Sequence, residues 1–129
     1  MTYYEHVTTS EKVTAFEATR PIFNGLIAEM RELSKKKADA TLSKGKVRIL
    51  NRCLDDIRQI LLDEPEAKFL DELDDDQLPQ NSDAVLVMVQ YETALSSYSK
   101  RYHSQAPGYY GHVWITEEID AQVSEDERA

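Results

Sequence analysis

Five apolar residues fix the middle of this chain. Val47, Leu50, Leu54, Ile57 and Leu61 follow a 3-4-3-4 spacing, the period that aligns side chains along one face of an α-helix. Ile49, Cys53 and Ile60 widen that face, and a helix of this width suits a bundle in which it touches two neighbours. Ser43 stands at the N-cap position. Pro65 ends the pattern, because its ring pushes Glu64 away from helical backbone angles.

The neighbours follow from the same arithmetic. A first helix is expected over residues 9–37, with Thr8 and Glu11 as a capping box. Val13, Phe16, Phe23, Leu26, Ile27, Met30 and Leu33 form its apolar stripe. Pro21 interrupts the pattern, so the expectation is a kink or break there, or a separate helix starting near Pro21 with Thr19 as its cap. Lys35, Lys36 and Lys37 suit the negative end of the helix dipole. Pro65 opens a short helix whose buried side is expected to hold Phe69, Leu70 and Leu73. Residues 74–81 read as a loop.

A third long helix is expected from about Ser82 to Tyr102, capped by Asn81 or Ser82. Met88, Tyr91, Leu95, Tyr98 and Tyr102 repeat the 3-4-3-4 spacing. Residues 84–89 are rich in β-branched side chains and also suit a buried strand, but the helical period runs on past them without a turn residue. Pro107-Gly108 marks a turn, Thr116 to Glu118 opens a last short helix, and residues 124–129 read as disordered.

Together these give a mainly α fold. It is one helical bundle over residues 1–129, with three long helices and one or two short ones. It carries an N-terminal extension (1–8), an acidic connector (63–83) and an acidic tail (116–129). The expected core is Phe16, Phe23, Leu26, Met30, Val47, Leu50, Leu54, Ile57, Leu61, Leu86, Met88 and Leu95. One echo adds a small β ribbon: Tyr3-Tyr4-Glu5-His6-Val7 and Tyr109-Tyr110-Gly111-His112-Val113 are both β-prone, and pairing them would join the chain ends.

Charge narrows the function classes. The 129 residues carry a net charge of −9, which argues against broad nucleic-acid binding, since that needs a basic excess to displace phosphate counterions. The charge is uneven: residues 63–83 hold nine acidic side chains and one basic, while Lys35 to Arg52 form a basic strip. The connector is placed to neutralise that strip, within one chain or across a dimer, and a local phosphate contact on the strip remains open. One cysteine, Cys53, excludes an internal disulfide framework and reads as a buried small hydrophobe. The longest fully apolar run, Ala84 to Val89, is six residues, against about 20 for a membrane helix. With no basic or apolar leader pattern at the start, the expected location is cytoplasmic and no membrane partner is expected.

Three constellations bear on chemistry. The first joins aromatics with basic residues: Tyr98, Arg101, Tyr102, His103, Tyr109, Tyr110 and Trp114. It suits a planar or anionic ligand, or stacked bases, and equally a packed helix end or a subunit interface. The second is the histidine set His6, His103 and His112, which a ribbon joining the ends would gather as metal ligands. The third is a pair of acidic motifs, Glu29-Met30-Arg31-Glu32 and Glu72-Leu73-Asp74-Asp75. These resemble the Mg-holding carboxylates of all-α NTP pyrophosphohydrolases of the MazG and dUTPase type. The resemblance covers those two short patterns. It implies a Mg-dependent nucleotide hydrolase with Glu29, Glu32, Glu72 and Asp75 as metal ligands.

No P-loop, EF-hand or nucleophile-elbow pattern occurs, and no cofactor is called for. Because no catalytic constellation stands out, the leading expectation is a non-enzymatic interaction or accessory module. The helix faces are wider than a three-helix core of this length needs, so the expected partner is a second copy or another protein, joined through helix faces and the C-terminal aromatic segment. The hydrolase and the aromatic-basic binder stand as alternatives.

Overall fold

A computed structural model describes residues 2–128. The element order is α1 (Ser10–Lys36), α2 (Lys44–Ile60), a 3-10 turn (Pro65–Phe69), α3 (Asn81–Tyr102), β1 (His103–Gln105), β2 (His112–Trp114) and α4 (Glu117–Arg128). The protein is a mainly helical bundle with a small two-stranded antiparallel sheet. Helix α1 packs against both α2 and α3, which meet each other less extensively. The core between them is Phe16, Phe23, Ile27 and Met30 from α1, the 47/50/54/57/61 stripe of α2, and Ala84, Met88, Tyr91, Leu95 and Tyr98 from α3.

Helix α2 starts after Ser43 as expected and ends at Ile60, ahead of Pro65. Ser43 caps it, its hydroxyl accepting from the Lys46 N–H at 3.2 Å. Helix α1 runs unbroken through Pro21, so the break, and a separate helix starting there, do not occur. The ring removes one backbone N–H on an exposed face, so the Glu17 carbonyl it leaves free is open to solvent. The cap of α1 is Thr9 rather than Thr8: the Thr9 hydroxyl accepts from the Lys12 N–H. Thr8 is drawn inward instead, its hydroxyl 2.5 Å from that of Tyr98.

Residues 84–89 are helical, within α3. The helix begins at Asn81 with Gln80 as its cap residue, so neither Asn81 nor Ser82 caps it. The Asn81 side chain donates to the Lys37 carbonyl at 2.9 Å, fastening the start of α3 to the end of α1. Leu86 is exposed rather than core, because it lies two positions from buried Met88 and so points to another side of the helix. Leu26 is partly buried. The short helix after Pro65 is a single 3-10 turn. Phe69 is exposed there, while Leu73, beyond the turn, is buried, its backbone held by the Asn51 side chain.

The ribbon forms between other partners than the expected ones. β1 pairs with β2 in the register His103–Trp114, Ser104–Val113, Gln105–His112. The reversal takes place over Pro107-Gly108 to Gly111, and both glycines adopt positive φ, +86° and +64°. Closing this short local loop costs far less chain entropy than bringing residues 3–7 to 109–113. The chain ends meet all the same, through a parallel bridge of Thr8 with Thr116. Buried Asp120 of α4 accepts the Tyr3 and Tyr4 backbone N–H groups, both at 2.8 Å. Helix α4 continues through Arg128, so residues 124–128 are ordered helix rather than disordered tail; Ala129 lies outside the described residues.

Candidate functional site

The aromatic residues at the end of α3 close on one another. Tyr98 stacks on Phe16 at 5.6 Å between ring centroids, and Trp114 meets Phe16 edge-on at 4.9 Å. Tyr102 lies 4.7 Å from Tyr98, and His103 lies 4.0 Å from Trp114. Tyr98 is fully buried, and burial raises its phenol pKa. The His103 Nδ1–H donates to the Ser99 carbonyl at 2.6 Å, and the Trp114 indole N–H donates to Glu17 at 3.1 Å. Tyr109 and Tyr110 stand apart from this group, exposed at the tip of the hairpin.

Beside the aromatics is an ion cluster that ties the connector to α3. Arg101 donates to Glu64 at 2.7 Å and to both carboxylate oxygens of Glu66. The Tyr102 hydroxyl donates to both oxygens of Glu64, at 3.0 and 2.9 Å. The Glu64 side chain is only 6% exposed. The hydrogen bond from Arg101 lowers the Glu66 pKa. Burial, reinforced by the Glu64 carboxylate, raises that of Tyr102. Other acids of the connector pair with Arg58 (Glu72, 3.3 Å) and Lys12 (Asp63, 4.0 Å). Among the described residues Lys44, Lys46, Arg48 and Arg52 make no ion pair with the connector.

The expected metal ligands are dispersed. Glu29 borders a groove on α1, Glu32 pairs with Lys35, and Glu72 faces Arg58. Asp75 lies with Asp74 and Asp76, the one grouping of three or more metal-ligating side chains among the described residues. The backbone N–H groups of Asp76 and Gln77 lower the Asp74 pKa. His6 stands 6.0 Å from the Tyr102 ring, His103 against Trp114, and His112 is exposed on β2.

A shallow groove runs between α1 and α2. Its parts share residues: Ala18, Thr19 and Asp56 join one end to the middle, and Leu26 and Ile49 join the middle to the other end. It follows α1 from Glu11 to Leu33, about 33 Å at the helical rise per residue. Two large apolar side chains stand open along it, Ile22 at 61% and Ile49 at 51% exposure. Its charges balance: Glu11, Glu29 and Asp56 against Lys12, Lys46 and Arg52. Cys53 lines the floor, and burial raises its thiol pKa.

The spacing of α2 signalled this face through Ile49, whereas Ile22, four residues before Leu26, was left out of the α1 stripe. The Glu64–Arg101–Glu66 cluster also escaped the sequence reading, because ion pairs between distant segments follow no local period. Among the described residues no helix is long and apolar enough to cross a membrane. The chain matches no protein-family model, no curated protein and no solved structure.

Proposed function

We propose that this chain is a non-enzymatic protein-interaction module that works as a homodimer, joined through the groove face of α1 and α2. The observation that carries this reading is the groove itself. It is long and apolar, it leaves Ile22 and Ile49 uncovered, and its rim holds three acids and three bases. A two-fold interface brings the same patch together from both copies, so it must complement itself. A charge-balanced rim does so, with each acid able to meet a base of the second copy.

Surface area agrees with this assignment. A compact monomer of 14.8 kDa exposes about 7,000 Å² by the usual size scaling, whereas this chain exposes 8209 Å². That excess of about 1,200 Å² belongs to the whole chain, and the roughly 800 Å² that one partner gives up in a standard interface fits within it. The closed aromatic cluster supports a packing role for Tyr98, Tyr102 and Trp114 rather than a ligand cavity. Co-expression of tagged and untagged copies tests the reading. The untagged chain should co-purify with the tagged one, and the Ile49→Glu change in both should abolish this. Failure of the wild-type copies to co-purify would overturn it.

A further inference from the structure

A second apolar groove lies on another side of the molecule, between the 3-10 turn and α3. It has a volume of about 470 Å³ and is walled by Phe69 and Leu70 on one side and by Leu86, Val89 and Thr93 on the other. Phe69 is 63% exposed and Leu86 is 69% exposed, so each presents most of its side chain to solvent. Leu86 and Thr93 are seven residues apart on one face of α3, about 10 Å along the axis. That span matches two turns of a helix laid in the groove, the mode in which anchors at i, i+3 or i+4 and i+7 bind.

The groove has an acidic border. Asp71 follows the turn, and Asp83 lies one helical turn before Leu86; both are exposed. Glu66 lines the groove, held by Arg101, which it shares with buried Glu64. Lys68 is the one basic residue of the connector, and its ammonium sits 5.1 Å from the Phe69 ring. Lys100 lies two turns past Thr93, beyond the groove.

We propose that this groove docks a cationic amphipathic helix of a partner protein. The apolar walls take the partner's anchors, and the acidic border meets Lys or Arg side chains on the flanks of its helix. A second copy of this chain fits poorly as the occupant. Its basic strip exposes one large apolar side chain, Ile49, where the groove asks for several at helical spacing.

The test uses the full chain and three fluorescein-labelled peptides of about five helical turns, roughly 18 residues. One is a Leu/Lys amphipathic helix, one a scrambled peptide of the same composition, and one a Leu/Glu amphipathic helix. Fluorescence anisotropy should show the Leu/Lys helix binding at least about tenfold more tightly than either control, a difference worth about 1.4 kcal/mol. Leu86→Ala and Phe69→Ala truncate exposed apolar walls without adding charge; each should weaken binding about tenfold with the circular dichroism spectrum unchanged. Ile22→Glu, on the α1–α2 groove, should leave the affinity unchanged, which separates this site from self-association. No binding of the Leu/Lys helix, equal binding of the scrambled peptide, or unchanged affinity in Leu86→Ala would overturn the proposal.

Discussion

Tyr102 and Glu64 are joined at both carboxylate oxygens: one phenol hydroxyl donates to the pair at 3.0 and 2.9 Å. The carboxylate has left water, with 6% of its side chain exposed, and Arg101 donates to it at 2.7 Å. Removing the cation while the acid stays buried is the costly change, since it leaves a buried carboxylate with the Tyr102 hydroxyl but no countercharge. Arg101→Ala should therefore destabilise the fold by about 3 kcal/mol in urea unfolding, and Glu64→Gln by clearly less.

Acid should loosen the same joint. Arg101 lowers the Glu66 pKa, so the folded protein holds the charged form more strongly than the unfolded chain does. That stability is fully present above the ordinary carboxylate range and is lost as pH falls through the lowered folded value. The melting temperature of the wild type should drop below about pH 4.5, and Glu66→Gln should flatten that part of the profile.

Alkali acts on the tyrosines. Burial raises the pKa of Tyr91, Tyr98 and Tyr102, which keeps these phenols neutral in the folded state. Their contribution is intact below the unfolded value near 10 and is lost as pH rises above it. Tyrosinate absorbance measured against pH should show these three titrating together with unfolding. A smooth titration of all seven tyrosines near pH 10 in a folded chain would contradict the burial.

Asp120 fastens the N-terminal segment by accepting two backbone N–H groups, those of Tyr3 and Tyr4. Asp120→Ala should cost about 1–3 kcal/mol and raise hydrogen exchange at residues 3–8, leaving α2 protected.

How much was legible in the sequence depends on how local the cause is. Helix α2 was fully readable, because its stripe and its Ser43 cap are settled within one segment. In α3 the unbroken apolar run from Ala84 to Val89 hides the phase of the helix; Met88 fixed it correctly, and Leu86 was then misplaced into the core. Thr8 carries a capping signature, but its hydroxyl answers to Tyr98, 90 residues away. The aromatic cluster was visible as a composition, and its closure was not, since closure depends on a hairpin set by Gly108 and Gly111. The α1–α2 groove was half legible, through Ile49 and not Ile22.

Association through that groove is tested most directly by molar mass from size-exclusion light scattering. The wild type should elute with twice the 14.8 kDa chain mass, Ile49→Glu should fall to the single-chain mass, and Leu86→Glu should keep the doubled mass. A wild-type particle of 14.8 kDa at high concentration, or a doubled mass that survives Ile49→Glu, would contradict it.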